Sequence, residues 1–255
     1  MLPLLLATNI FLCVLIFLLS QRLRKIKLKN QAPSPIPSVS LEKVDPIFAM
    51  NDFGTTTATE VAFVGRAETP IIGAVSDSEG WILSVLAKKS KNIFEFGTCT
   101  GRTTYLLARN SPNDAVVTTL TLSSSDTRDY YAEKKDDKAD TENAIQESGF
   151  TKFFYSGTDA ARKIKQLYGD SKKFDEAPFV EKCDLIFVDG SHAYSYVVND
   201  SQKALQMVKS GGLILWHDYI GPYSVKGVYQ ALNELSKNLS LLRIEGTRLV
   251  VYRKK

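Results

Sequence analysis

The chain has 255 residues, of which 44% are hydrophobic and 24% charged, with a net charge of +4. These are ordinary globular proportions, and the length suits one α/β domain with an appendage. Arg22, Arg24, Lys25, Lys27 and Lys29 supply five of the positive charges with no acid before them. The rest is near neutral, so the basic face of a nucleic-acid-binding domain is not indicated, and Cys13, Cys99 and Cys183 lie too far apart for a disulfide framework or a zinc knuckle.

Met1–Leu19 is almost wholly apolar, interrupted by Thr8 and Asn9. About 20 apolar residues span a bilayer core, so a transmembrane anchor is predicted over residues 1–20. The competing reading, a cleaved signal peptide, would place cations before the apolar run and small residues after it; here the cations come after. The positive-inside tendency keeps this flank, and with it the domain, cytoplasmic on a single-pass anchor. Residues 21–40 form a basic and proline-rich juxtamembrane linker, whose Gln31–Ser40 part reads as a semi-extended spacer. The domain is predicted over residues 41–255. Asn51–Thr59 reads as loop and Val61–Val64 as a short strand or helical turn. Ser76 and Glu79 have the spacing of a capping box, opening a helix that ends near Lys88–Ser90.

Asn92–Arg109 is the stretch around which the domain is organised. Ile93-Phe94-Glu95-Phe96 suits a buried strand, Gly97-Thr98-Cys99-Thr100-Gly101 a turn, and the residues through Leu107 a helix. Strand, glycine turn and helix let backbone approach a nucleotide-like ligand. Gly97 takes the tight turn and Gly101 leaves room at the helix start, while Glu95 adds a carboxylate under the loop. The spacing is neither G-x-G-x-x-G nor a phosphate-binding P-loop; an ordinary βα turn is the plainer reading.

This stretch resembles motif I of class I S-adenosylmethionine (SAM)-dependent methyltransferases, most closely the small-molecule O-methyltransferase branch, and the resemblance runs from about Asp77 to the C-terminus. Glu95, Gly97, Thr98 and Gly101 match position by position, which implies that they bind the cofactor SAM. Val116–Leu120 is the next predicted strand. The family places an acid near its end for the ribose hydroxyls; the aligned position here is Thr121, with Asp126 nearby. Ser123–Asp140 is polar and charged and reads as a solvated loop or helix face. Thr141–Ser148 is predicted helical and Phe153–Tyr155 a third strand. Thr158 or Asp159 can cap the next helix, and in similar enzymes this turn borders the adenine.

Asp184–Asp189 is a buried-strand pattern ending in an acid, followed by His192 and a helix carrying Val197, Ser201, Ala204, Leu205 and Val208. Lys209–Gly212 reads as a helix stop, and Leu213–Trp216 as a strand ending in His217-Asp218-Tyr219. Ligands of open parallel sheets bind beyond such strand ends. The Asp-Gly-x-His-x-Tyr and His-Asp-Tyr runs again resemble the O-methyltransferases. The resemblance implies that Asp189 serves the cofactor and that Asp189, His217 and Asp218 hold a divalent cation, Mg²⁺ or, given the histidine, a borderline metal. It also puts His192 where catechol-type enzymes carry a catalytic lysine, so that His192 could deprotonate a substrate hydroxyl. The competing reading has His192 capping a loop and His217 packed at a strand end. Val225–Lys237 is a last helix, and Leu241–Ile244 and Thr247–Tyr252 form a closing hairpin across Glu245-Gly246.

The expected fold is a Rossmann-like three-layer α/β sandwich on a seven-stranded, mostly parallel sheet with an antiparallel last strand. The expected function is a membrane-anchored enzyme moving a methyl group from SAM to a hydroxyl of a small molecule, with metal assistance. The alternative is a catalytically degenerate or repurposed Rossmann-like binding module at the membrane, which Thr121 favours.

Overall fold

The computed structural model describes residues 14–22, 34–51, 54–55, 57, 73, 75–123, 125, 127 and 130–255. Its centre is an eight-stranded sheet. In chain order the strands are β1 (Ser38–Val39), β2 (Asn92–Phe96), β3 (Val116–Thr121), β4 (Ile164–Tyr168), β5 (Cys183–Val188), β6 (Val208–Trp216), β7 (Leu242–Ile244) and β8 (Val250–Arg253). They lie side by side as β1-β7-β8-β6-β5-β2-β3-β4. Of these strands only β8 is antiparallel to its neighbours.

The central strands send alternate side chains into two cores. Ile93, Val117, Leu185, Phe187 and Leu215 meet Ile82, Leu83 and Leu86 of α1 (Asp77–Ala87) and Leu107 of α2 (Arg102–Asn110). Phe94, Phe96, Ile186, Val188 and Trp216 meet Val197, Ala204 and Met207 of α4 (Tyr194–Met207) and Val228 and Leu232 of α5 (Lys226–Leu235). Two apolar faces covered by helices make the expected three-layer sandwich. A further helix, α3 (Lys138–Glu147), buries only Asp140 among its side chains, so it is no part of either core.

Several boundaries differ from the sequence expectation. The sheet has eight strands rather than seven because part of the expected spacer joins it. Ile36 is 1% exposed, and Ser38–Val39 pairs in parallel with Arg243–Ile244. Two residues at the end of a proline-rich run carry no periodicity to read. The third strand is Ile164–Tyr168, not Phe153–Tyr155. The latter is a turn in which Phe153 stacks on Tyr155 at 5.3 Å, Phe154 meets Tyr105 of α2 at 5.0 Å, and the Phe154 N–H donates to Thr100 O at 2.8 Å. The aromatic run that imitated a strand plugs the underside of the glycine loop, while the true edge strand is half polar and shows no apolar run. Lys209–Gly212 does not stop a helix. It opens β6, with Gly211 at φ +78° and a register irregularity opposite Cys183 and Leu185.

Residues 14–22 are helical, and Val14 to Leu19 are 42–60% exposed. No helix of the described residues is long and apolar enough to cross a membrane; residues 1–13 of the expected anchor lie outside them. So do most of Asn51–Thr59 and all of Val61–Val64.

Candidate active site

Register aligns the carboxyl ends of the central strands. Phe96 pairs with Leu120 on one side and Val188 on the other, and Val188 pairs with Trp216. Gly97, Thr121, Asp189 and His217 therefore emerge side by side. Chain order reverses between β2 and β5, the switch point at which open α/β sheets bind ligands. The two strand ends run so close there that a Cβ on Gly97 would lie 2.0 Å from the Asp189 carbonyl oxygen. Gly97 also has φ +96°, so this position requires glycine on two grounds.

The loop after β2 passes over Glu95. The Glu95 carboxylate is fully buried and accepts from the hydroxyls of Thr104 and Thr119, the latter at 2.6 Å. Its Oε1 has no hydrogen-bond partner among the described residues. Burial outweighs those hydroxyls and pushes its pKa up to about 8. Thr98 shares a 2.7 Å hydrogen bond with Thr119. Gly101 caps α2 at φ +76°, and a Cβ there would come within 2.9 Å of Phe153 and Tyr155. Glu95 and Gly101 thus shape the loop from beneath and behind, while Gly97 and Cys99 face the cleft.

That cleft runs along the ends of β2, β3 and β4, lined by Thr121, Tyr130, Gly169, Asp170, Asp189 and Tyr196 among others. Tyr130 stacks on Tyr196 at 4.5 Å, and Tyr196 OH donates to the buried Asp170 at 3.1 Å. Thr158 and Asp159 do not line it. Thr158 stands just before, and Asp159 opens, the short turn Asp159–Lys163 at the amino end of β4, and Thr158 Oγ1 donates to Tyr155 O at 2.7 Å. Misplacing the third strand carried this pair to the wrong end of the sheet. The residues just past the true strand, Gly169 and Asp170, are those in the cleft. Thr121 does stand at its strand end as aligned, and Asp170 supplies a carboxylate one strand over. Asp126 lies outside the described residues.

Beside the cleft is a second cavity, lined by Asp189, His192, His217, Asp218, Glu147 and Arg248 among others. His217 is its hub. Nδ1 lies 3.0 Å from Asp189 Oδ1 and 3.4 Å from Asp218 Oδ2, and Nε2 lies 3.3 Å from Glu79 Oε2. His192 Nε2 lies 3.0 Å from Asp218 Oδ2. Asp218 sits at φ +56°, which turns its carboxylate back between the two rings; a non-glycine residue held there is a strain common at functional sites.

Burial alone would discharge these rings. Against it, Asp189, Asp218 and Glu79 hold the His217 pKa far above the ordinary histidine value, and Asp218, Asp189 and Glu147 raise His192 to about 9. Asp218 goes the other way: burial is outweighed by both histidines, which hold its carboxyl well below the usual range. At Asp189 burial prevails over His217 and the pKa rises.

Glu79 did not stand out in the sequence as a site residue. It completes the expected capping box, with Ser76 N–H donating to Oε2 at 2.9 Å. It also accepts from Arg248 N–H at 2.7 Å and faces His217. Burial opposes its charge, but the contacts from His217, Ser76 and Arg248 hold its pKa at about 2. Only its capping role was legible, because the partners lie 138 and 169 residues away.

The donor set suits a divalent cation. One atom each from Asp189, His217 and Asp218 lie within 4.8 Å of one another. A cation there would take the place of the Nδ1 proton, with Nε2–H still directed at Glu79, the arrangement in which an outer carboxylate fixes the tautomer of a ligating histidine. Two carboxylates and one imidazole accommodate transition metals better than an all-oxygen site does.

Residues 94–219 match the family model described as a methyltransferase domain. A putative caffeoyl-CoA O-methyltransferase of Arabidopsis thaliana is 26% identical over 205 residues, covering 75% of this chain and 77% of that protein. The SAH-bound Podospora anserina methyltransferase PaMTH1 superposes with a TM-score of 0.50 at 18% identity, over 72% of this chain and 80% of that one. The SAM complex of the O-methyltransferase TomG from Streptomyces achromogenes gives 0.49 at 18% identity, over 74% and 84%.

Proposed function

The chain belongs to the class I SAM-dependent methyltransferases, on their O-methyltransferase side, and from that premise we propose that it methylates a hydroxyl of a small molecule held in the cavity beside His192. One observation carries this reading. Gly97, Cys99, Glu147 and Asp189 line both the cleft and the cavity, so a donor in one and an acceptor in the other share a wall at the switch point.

SAM supplies an electrophilic methyl group on its sulfonium. Gly97 and Thr121 face its cleft, and Asp170 is the carboxylate placed to receive ribose hydroxyls in the absence of an acid at Thr121. Asp189, His217 and Asp218 would hold a divalent cation, whose Lewis acidity lowers the pKa of a hydroxyl.

An alcohol or phenol is a poor nucleophile until it loses its proton, and His192 stands at the cavity to take it. With Nε2–H directed at Asp218, Nδ1 is the nitrogen left to accept that proton, and Asp218 then stabilises the charged ring. The ion pair also sets a limit: a ring of pKa about 9 is mostly protonated at neutral pH and must first lose that proton.

The proposal includes attachment to a membrane through the N-terminal segment, with the domain on the cytoplasmic side. The exposed apolar side chains Val14 to Leu19, followed by the basic cluster, support it. Alkaline carbonate extraction should leave the full chain with the membrane; a mature N-terminus near residue 20 would refute attachment. Calorimetry with SAM, followed by methyl transfer from labelled SAM to hydroxylated acceptors, tests the chemistry. Asp189→Ala and Asp218→Ala should abolish cation-dependent transfer without unfolding the chain. Transfer that survives chelation unchanged would remove the cation from the reading and leave His192 to act alone.

A further inference from the structure

α3 turns one face toward the acceptor cavity. Asp140, Asn143 and Glu147 all line it, and their spacing puts them on one side of a helix. Asp140 is only 9% exposed. Among the described residues, the side chains of these three have no hydrogen-bond or ion-pair partner. Asp140 is the buried one of the three, Glu147 being half-buried and Asn143 exposed, and a buried carboxylate is normally paired. Other acids of the cavity already have partners: Asp189 and Asp218 are engaged by the histidines.

Burial, only partly opposed by the charge of His192, raises the pKa of both acids, with Glu147 reaching about 7. Neither contributes to a core, since α3 buries no apolar side chain. Their placement serves something that enters the cavity, whose volume of about 350 Å³ suits a small molecule. Facing two carboxylates and an amide oxygen, such a molecule must present donors, and a positive charge satisfies both acids at once.

Resting on the methyl-transfer reading, we propose that the acceptor is a hydroxylated amine, its ammonium group held by Asp140 and Glu147 while its hydroxyl lies at His192. Asp140 is the primary contact, because it faces the acceptor cavity and not the cleft. Glu147 stands where the two meet. Asn143, between them on the helix, offers its side-chain oxygen to the same group. Specificity for an amine comes from the unmet acceptors: a neutral analogue leaves Asp140 buried without a partner, and a carboxylate analogue adds repulsion.

The test is calorimetry on the full chain loaded with SAH, using tyramine, para-ethylphenol and para-hydroxyphenylpropionate as probes. Tyramine should bind about 10- to 100-fold more tightly than para-ethylphenol, the span of a hydrogen bond to a charged group, and the carboxylate should bind most weakly. Asp140→Asn should erase most of that preference and Glu147→Gln part of it. Equal affinity for the three probes, no binding of tyramine, or an unchanged preference in Asp140→Asn would overturn the inference. If Asp140→Asn fails to fold, the ranking of the probes on the unaltered chain and on Glu147→Gln decides. Failure of SAH itself to bind would overturn the methyl-transfer reading instead, so the two failures are read separately.

Discussion

Replacing Glu79 tests whether one buried carboxylate ties the α1 cap to the strand ends of the candidate site. Glu79 is 2% exposed. It takes the Ser76 N–H and hydroxyl at 2.9 and 2.7 Å, the Arg248 N–H at 2.7 Å and the His217 ring at 3.3 Å. Glu79→Gln keeps the volume and loses the charge. Holding the carboxyl at about 2 rather than 4.5 corresponds to about 3 kcal/mol of folding free energy at neutral pH. The lost hydrogen bonds lead to a similar figure: one or two donors lose a charged acceptor at about 1–3 kcal/mol each. Linkage sets the sign. A depressed carboxyl stabilises fully above its unfolded value of 4.5, and that contribution is lost as pH falls through about 2. The deficit of Glu79→Gln against the unaltered chain should thus be about 3 kcal/mol at neutral pH and about 2 kcal/mol near pH 3.5. Urea unfolding followed by fluorescence of Trp81 and Trp216 measures both. A neutral-pH deficit under about 1 kcal/mol, or one that does not shrink in acid, would refute the reasoning.

The His192 ring should titrate near pH 9 by NMR in metal-free protein, and Asp218→Asn should bring the midpoint down toward the ordinary histidine range. Because the folded value is raised, the stabilisation His192 gives is complete below about pH 6.5 and disappears as pH rises through about 9; methyl transfer should rise over that same upper range. Gly97→Ala drives a Cβ into the Asp189 backbone, so it should cost about 3 kcal/mol or more in urea unfolding and abolish SAH binding in calorimetry. A chain beginning at Ser34 should match the full chain in thermal stability, whereas one beginning at Ser40 loses the buried Ile36 and should be weaker by about 2–4 kcal/mol.

The parts of the molecule that announce themselves in the sequence are those with local signals. The Ile93–Gly101 turn, the acid at the end of Asp184–Asp189, the Ser76 cap and the Glu245-Gly246 hairpin each depend on a few adjacent residues, and each is legible at its place. The third strand is not, because Ile164–Tyr168 is an edge strand whose lysine, glutamine and tyrosine dilute the apolar pattern, while Phe153–Tyr155 carries a strand's composition without a strand's partners. The site is legible where it lies at strand ends, in Asp189, His192, His217 and Asp218. It is opaque where the chain returns from afar. Glu79 looks like a helix cap, Asp170 depends on the true limits of β4, and Asp140 ends a stretch that reads as a solvated loop or helix face, which nothing short of the packed cavity distinguishes.

β1 is only two residues long, yet it covers the hydrogen-bonding side of β7 that β8 leaves open. The opposite end of the sheet is β4, whose Lys165 and exposed Tyr168 make it a poor template for another strand. Charge or brevity at an edge discourages pairing between molecules. Cutting the chain at Ser40 therefore removes more than the burial of Ile36: it uncovers Leu242–Ile244 as a free parallel edge, and the shortened protein gains a site at which copies can zip together. The segment ahead of the domain, in sequence a passive spacer, acts as the hem that keeps the sheet from fraying into its neighbours.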